Sequence, residues 1–168
     1  MKEIRWHARA GQGAKTASQL YATAALRSGR YAQAFPEYGP ERRGAPLRAY
    51  TRVDDVPIRR HDSVARPDVV VVLEPSLVHE VDVADGLADG GLILVNAENP
   101  PSQLAGAHVR CVPAGSRSPN LVLAGALAAV TDVPAAAVAQ AAVELLGRKV
   151  QKREIVAAVE EGYACLSS

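Results

Sequence analysis

Two short segments of the chain carry residue types and spacing that bind anions. The first is the turn Gly11-Gln12-Gly13, which follows a strand-like run and precedes a run with helical spacing. Glycines permit a sharp turn there, and free amides at the start of the following helix attract phosphate or carboxylate groups. A dinucleotide-binding fingerprint reads G-x-G-x-x-G, but Thr16 stands at the third glycine position. The turn therefore predicts either close packing of strand and helix or binding of another anionic group.

The second segment is the loop PEYGPERRGAP, residues 36–46. Its prolines and glycines restrict and shape the backbone around Glu41, Arg42 and Arg43. Adjacent arginines in an extended loop point in different directions, so one can bind a phosphate or carboxylate while the other pairs with Glu41. The alternative is an internal latch, in which the arginines and Glu41 only fasten a long loop.

Three further polar residues stand at the ends of predicted elements. Glu74 follows a run of valines, Asn96 ends the next apolar run, and Asn120 heads a helical segment. Because the carboxyl ends of parallel strands line one crevice, we expect Glu74 and Asn96 to gather near Gly11-Gln12-Gly13. Capping and loop hydrogen bonding are the alternative roles, and they are favoured for Asn120.

The elements that must position these residues alternate along the chain. Apolar alternation and unbroken apolar runs predict strands at 3–9, 31–35, 47–53, 67–78, 90–96 and 108–114. Helical spacing predicts helices at 14–29, 120–131, 134–147 and 152–166, and a helical start within 76–90. This pattern indicates a single Rossmann-like α/β domain over residues 1–168, with three layers. We expect a mostly parallel central sheet, helices on both faces, and a β-hairpin-like excursion at 31–53.

Composition narrows the class of protein. The 168 residues are 48% hydrophobic but only 4% aromatic, so the predicted core consists of Ala, Val and Leu. A net charge of +1 offers no support for nucleic-acid binding, and no apolar run reaches the roughly 20 residues of a membrane span. Cys111 and Cys165 form no CxxC pair, which indicates ordinary thiols in a reducing cytoplasm. The four histidines show no metal-ligand spacing, so we predict no metal site and no catalytic residue on this chain.

Residues 3–59, from EIRWHARAGQGAKTASQLY through GPERRGAPLRAYTRVDDVPIR, together with PDVVVVLEPSL, carry a family resemblance. They resemble the gamma subunit of the thiamine-diphosphate-dependent 2-oxoacid:acceptor oxidoreductases, such as pyruvate:ferredoxin oxidoreductase. GGLILVN, SPNLVLAGALAAVT and KREIVAAVEEGY extend the resemblance over nearly the whole chain. One departure lies in the first turn, which in this family usually reads G-x-G-G-Q-G. Ala8 and Ala10 replace two of those glycines, which weakens any ligand role implied for this turn.

The resemblance implies a non-catalytic subunit of a larger complex. Alpha, beta and delta-type subunits would bind thiamine diphosphate and Mg²⁺ and carry iron–sulfur clusters, none of them held by this chain alone. The complex would decarboxylate a 2-oxoacid oxidatively, with pyruvate as the default. Coenzyme A would accept the acyl group, and ferredoxin or a similar acceptor would take the electrons. Glu41, Arg42 and Arg43 would then meet another subunit or an anionic substrate group.

Two other interpretations remain open at this stage. One is a stand-alone nucleotide-binding domain that uses the Gly11-Gln12-Gly13 turn as its phosphate site. The other is a structural scaffold subunit without any ligand contact.

Overall fold

The computed structural model describes residues 1–37 and 44–167. Glu41, Arg42 and Arg43 lie outside the described residues. The strands are β1 (Lys2–Arg9), β2 (Tyr31–Pro36), β3 (Pro46–Asp54), β4 (Val69–Val72), β5 (Leu92–Val95) and β6 (Val109–Cys111). The helices are α1 (Ala14–Arg27), α2 (Pro119–Ala129), α3 (Ala135–Leu146) and α4 (Lys152–Leu166), with short 3-10 helices at Pro75–His79 and Ser102–Leu104.

The strands form one sheet in the order β2-β3-β1-β4-β5-β6. β1, β4, β5 and β6 are parallel to one another, while β3 runs antiparallel to both of its neighbours. β2 and β3 pair from Tyr31 with Asp54 to Pro36 with Ala49, so the predicted hairpin-like excursion is confirmed. The valines of β4 are buried on both faces, as expected for a central parallel strand. The predicted α/β fold with a mostly parallel sheet is therefore confirmed.

The two faces of the sheet are covered differently. The four α-helices pack with one face in a single apolar cluster that contains Trp6, Val71 and Leu94. The opposite face of β4 and β5 is covered by a smaller cluster around the two 3-10 helices, with Val78 and Leu104. The helical start predicted after residue 75 is thus one 3-10 helix. Aspartates and glycines between residues 82 and 91 favour turns over a continued α-helix.

Helices α2 and α4 approach each other closely where each carries a glycine. A Cβ atom added at Gly125 would lie 2.0 Å from the Val159 carbonyl oxygen. One added at Gly162 would lie 1.8 Å from the Val122 carbonyl oxygen. The helical layer of this Ala-rich chain therefore depends on backbone contact at two side-chain-free positions.

The other face of β1 and β3 is also buried, but it carries charged and polar side chains. Arg5, His7 and Arg52 are 3%, 3% and 0% exposed, and we call these three residues the polar face. The Arg5 guanidinium donates to the carbonyl oxygens of Val83 and Asp85 at 3.0 and 2.5 Å, and to His7 Nε2 at 3.0 Å. The chain after β4 thus folds over this face and satisfies Arg5 with backbone oxygens.

Arg52 is the most deeply buried member of the polar face. Its Nε donates to Glu3 Oε1 at 2.8 Å, and its Nη2 donates to the Asp62 carbonyl oxygen at 2.7 Å. The guanidinium also stands 5.3 Å from the centre of the Phe35 ring, within the range of a cation–π contact. Arg52 therefore links β1, β2, β3 and the connection that leads to β4.

Candidate functional site

The Gly11-Gln12-Gly13 turn connects β1 to α1 at the carboxyl edge of the parallel strands. Gly11 and Gly13 have φ angles of 94° and 86°, in the left-handed region that other residues rarely adopt. The turn closes on itself, because Gln12 N donates to the Arg9 carbonyl oxygen at 3.0 Å and Arg9 N donates to Gln12 Oε1 at 2.7 Å. Both glycines thus serve the backbone geometry that starts α1.

Glu74 lies directly against this turn. Gln12 Nε2 donates to Glu74 Oε2 at 2.9 Å, and Ser76 N donates to Glu74 Oε1 at 3.2 Å. Burial raises the pKa of Glu74, but the hydrogen bonds from Gln12 and Ser76 and the charge of Arg9 outweigh it and leave the pKa below its usual value. A charged carboxylate therefore lies beside the turn and accepts a hydrogen bond from the side-chain amide of Gln12.

Arg9, the last residue of β1, connects this edge to Gly44 and to the 3-10 helix that follows β4. Its guanidinium donates to the Gly44 carbonyl oxygen at 3.1 Å and to Ser76 Oγ at 2.9 Å, and it forms an ion pair with Glu80. The hydrogen bond to Glu80 raises the pKa of Arg9, as the neighbouring carboxylates also do. Sequence reasoning did not single out Arg9, although its place at the end of β1, before the turn, was the available signal.

Asn120 packs against Gly13 from the start of α2. A Cβ atom at Gly13 would lie 2.7 Å from Asn120 Nδ2, so this glycine also makes room for the amide. Ser118 Oγ donates to Asn120 Oδ1 at 2.7 Å, and Ser118 occupies the N-cap position of α2. The structure thus places Asn120 beside the turn, inside the first turn of its helix.

Asn96 ties three segments together at the same edge. Its Nδ2 donates to the Leu73 carbonyl oxygen at 3.1 Å, and its Oδ1 accepts a hydrogen bond from Ala114 N at 2.9 Å. Leu73 immediately precedes Glu74, so Asn96 holds the end of β4 to the segment after β6. The structure therefore brings Glu74, Asn96 and Asn120 to the edge that carries the turn, and both ends of the Asn96 amide hydrogen-bond to backbone groups.

The segment with Glu41, Arg42 and Arg43 starts and ends close to this edge. On one side, Arg48 Nη2 donates to Glu37 Oε1 at 2.8 Å, and the Tyr50 hydroxyl donates to Glu37 Oε2. Burial and this hydrogen bond raise the pKa of Tyr50 to about 12. On the other side, Ala10 N donates to the Ala45 carbonyl oxygen at 2.9 Å, next to the turn. The residues that flank the segment are thus fixed by β3 and by the end of β1.

Known proteins resemble this chain in both sequence and fold. The sequence profile of the family described as pyruvate ferredoxin/flavodoxin oxidoreductase matches residues 3–165. The chain belongs to this family. The membership confirms the resemblance that the sequence motifs carry.

Individual members of the family agree with the profile. The chain is 58% identical over 98 residues to the pyruvate/ketoisovalerate oxidoreductases common subunit gamma of Thermococcus kodakarensis, covering 58% of this chain and 53% of that protein. It is 46% identical to pyruvate synthase subunit PorC of Methanothermobacter marburgensis over 79% of both chains. The crystal structure of pyruvate oxidoreductase subunit PORC from Thermotoga maritima superposes with a TM-score of 0.77 at 36% identity, covering 97% of this chain and 95% of that one. The matched region spans about half the length of the first of these relatives.

Within residues 1–37 and 44–167, no group of three or more His, Cys, Asp or Glu side chains has an arrangement that would hold a metal ion. In the same part of the chain, no helix is both long and apolar enough to cross a bilayer.

Proposed function

We propose that this chain is the gamma subunit of a multi-subunit 2-oxoacid:ferredoxin oxidoreductase, with pyruvate as the default 2-oxoacid. The observation that carries the proposal is family membership over nearly the whole chain. The chain acts as one gamma-type domain over residues 1–168 in the cytoplasm. It supports coenzyme A-dependent oxidative decarboxylation without a complete active site of its own.

The cofactors of the reaction belong to partner subunits in this proposal. Alpha, beta and delta-type subunits supply thiamine diphosphate, Mg²⁺ and the iron–sulfur clusters, and ferredoxin or a similar acceptor takes the electrons. This chain contributes a surface that braces those subunits. It also forms one side of the approach taken by the 2-oxoacid or by coenzyme A.

The contact surface that we propose is the carboxyl edge together with Glu41, Arg42 and Arg43. Two features support it. The flanking residues Glu37 and Gly44 accept hydrogen bonds from Arg48 and Arg9. Both ends of the segment that carries the three charged residues are therefore anchored. Arginine is also favoured at interfaces, because its planar guanidinium binds carboxylates and phosphates in two hydrogen bonds.

The Gly11-Gln12-Gly13 turn serves mainly as a close-packed support for this edge. Glu74 places negative charge beside the start of α1, where a bound phosphate would otherwise be stabilised. The stand-alone nucleotide-binding interpretation is accordingly disfavoured. Titration of the isolated chain with NAD, FAD and coenzyme A tests it, since micromolar binding of a dinucleotide would reverse the preference.

Affinity purification from the native host tests the subunit role. A tagged chain expressed at its own locus is expected to recover the alpha, beta and delta-type subunits, with coenzyme A-dependent oxidation of pyruvate in the eluate. A partnerless monomer would refute the proposal. If other 2-oxoacids are oxidised faster than pyruvate, the subunit role stands and the default substrate is wrong.

A double variant tests the contact surface separately. Arg42→Ala/Arg43→Ala is expected to weaken assembly or raise the substrate KM by about tenfold or more, as for interface arginines whose loss costs more than about 1.4 kcal/mol. The matched control is Arg148→Ala/Arg153→Ala, which removes the same charge from exposed positions around the α3–α4 connection. Unchanged assembly, turnover and KM in both variants would instead support the scaffold interpretation.

A further inference from the structure

The two edge strands of the sheet differ in how well they are protected against pairing with another strand. β6, at one edge, is three residues long and exposes Arg110 at its middle. Short length and charge are common protections of a sheet edge. β2, at the other edge, is six residues long, and its sequence YAQAFP contains no charged residue. Of the two edges, β2 is therefore the one that is open to a further strand.

The ladder between β2 and β3 fixes which backbone groups of β2 face outward. Glu37 N donates to the Arg48 carbonyl oxygen at 2.9 Å, and such hydrogen-bonded pairs alternate along an antiparallel ladder. Every second residue counted back from Glu37 therefore directs its N–H and C=O groups toward β3. Ala32 and Ala34 lie between those residues, so their N–H and C=O groups point away from the sheet. Within the described residues, no hydrogen bond occupies these outward groups.

Exposed apolar side chains surround the start of this strand. Leu26, in the last turn of α1 before β2, is 53% exposed. Tyr31, the first residue of β2, is 45% exposed, and Val56, two residues after its ladder partner Asp54, is 59% exposed. Large apolar residues that are exposed together mark surfaces where another protein binds. The start of β2 thus adds an apolar contact to the open backbone edge.

The sequence of β2 suits pairing with a second copy of itself. Homodimers are commonly built on a two-fold axis, across which a strand meets its own copy antiparallel. β2 carries no charge that would repel that copy. With the axis at Gln33, Ala32 of each copy lies opposite Ala34 of the other, so all of their outward N–H and C=O groups pair. Tyr31 then lies opposite Phe35 of the second copy, which forms an aromatic cross-strand pair on each side of the axis.

The residues on either side of this stretch limit the pairing to it. Pro36 has no N–H group to donate. Arg30 N already donates to the Ala25 carbonyl oxygen at 3.0 Å. In the arrangement centred on Gln33, Pro36 and Arg30 lie opposite each other, so no free N–H group is left unpaired at either end. The paired stretch therefore runs from residue 31 to residue 35 in both copies.

We propose that β2 is a self-association surface, at which two copies of this chain pair antiparallel about a two-fold axis at Gln33. The two sheets then continue into one another across the axis, as in other complexes that form by strand addition. A single pair of short strands makes a small interface, so we expect a reversible dimer with a dissociation constant of about 1–100 µM. The inference rests on β2 and its flanking residues and does not depend on the proposed function.

Sedimentation velocity of the full-length chain across the micromolar range tests the dimer. Tyr31→Lys is expected to raise the dissociation constant by about tenfold or more, because it removes both aromatic pairs and places charge on a charge-free edge. The matched control is Tyr163→Lys, which replaces an exposed tyrosine of α4 and should dimerise like the unsubstituted chain. A chain that stays monomeric throughout this range, or equal dissociation constants for the two variants, would overturn the proposal.

A cysteine at position 33 tests the register. Opposite residues of a pair without mutual hydrogen bonds have Cα atoms about 4.5 Å apart, within the range that a disulfide spans. Under mild oxidation, Gln33→Cys is expected to give a covalent dimer in which peptide mapping finds residue 33 linked to residue 33. Val109→Cys, on the other edge strand, is the control and should give no such dimer. A reversible dimer that forms no link between the two copies of residue 33 would place the interface elsewhere and contradict the proposal.

Discussion

Strand β1 is buried on both faces, but the two faces meet different chemistry. On one side Ile4, Trp6 and Ala8 pack into the apolar cluster formed with the α-helices. On the other side Arg5 and His7, with Arg52 from the neighbouring β3, are buried to the same degree under irregular chain segments. Alternate residues of one strand thus take part in two kinds of packing.

The apolar side depends on shape. Its side chains are small, so stability comes from area and from helices that approach to backbone contact at Gly125 and Gly162. The one indole in this cluster is satisfied as well, because Trp6 Nε1 donates to Thr51 Oγ1 at 3.0 Å. Added volume is therefore the change that this side tolerates least.

The polar side depends on hydrogen bonds and charge. A buried ion pair adds little stability over an apolar core, but removing one partner leaves the other charge buried and is strongly destabilising. Irregular segments also have many backbone carbonyl groups to offer, which suits guanidinium donors. Lost partners and altered protonation are therefore the changes that this side tolerates least.

The largest effect is expected on the apolar side, from Gly162→Ala. Intrinsic helix propensity alone predicts stabilisation by about 1 kcal/mol. The new methyl group would instead lie 1.8 Å from a backbone carbonyl oxygen, which no side-chain rotation relieves. We expect a net loss of about 4 kcal/mol, above the usual range for overpacking, because the clashing atom belongs to the backbone.

Urea denaturation followed by circular dichroism measures this loss. Glu160→Ala is the matched control, since Glu160 is an exposed residue of the same helix and its replacement should change stability by less than about 0.5 kcal/mol. Stabilisation of the Gly162→Ala variant would show that α2 and α4 do not pack in this way.

The next effect is expected on the polar side, from Arg52→Met. Methionine keeps much of the length and apolar stem of arginine but leaves Glu3, whose side chain is only 12% exposed, without its closest cation. We expect a loss of about 3 kcal/mol in the free energy of unfolding. Arg66→Met is the control, because Arg66 pairs with Asp89 at the surface, where its side chain is 68% exposed. Equal urea midpoints for the two variants would mean that the polar face contributes no more than a surface pair.

The same contrast explains how far the sequence could predict this molecule. The valine run of β4 and the proline-rich connection before β3 indicated the sheet and its hairpin. The alternation in β1 predicted the strand, but nothing local shows that residues 80–90 return to cover Arg5, so the burial of its charged face could not be predicted. Gln12 and Glu74 were expected at one edge from topology alone. The partners of Asn96 are backbone groups of Leu73 and Ala114, which have no sequence signature.

The smallest effect concerns the pH dependence that His7 brings to the polar side. Burial, followed by the charges of Arg5 and Arg48, lowers the pKa of His7 to about 3 from an ordinary 6.5. Between pH 6.5 and 3 the unfolded chain therefore binds a proton that the folded chain does not, so this contribution to stability is complete above pH 6.5 and is lost as the pH falls. The slope is about 1.4 kcal/mol per pH unit, which gives about 2 kcal/mol between neutral pH and pH 5.

Comparison of the chain with His7→Gln measures this contribution. Glutamine is neutral at every pH in the range and offers an oxygen to accept from Arg5 Nε. The unsubstituted chain should lose about 2 kcal/mol more than the variant on going from pH 7.5 to pH 5, whereas His61→Gln, at an exposed position, should follow the unsubstituted chain. Direct titration by NMR adds an independent readout, because the His7 ring signals should keep their neutral shifts down to pH 4.5. A midpoint near 6.5 for those signals would show that water reaches this face. The two sides of β1 would then differ in the residues that they carry and also in how deeply those residues are buried, which contradicts equal burial of the two sides.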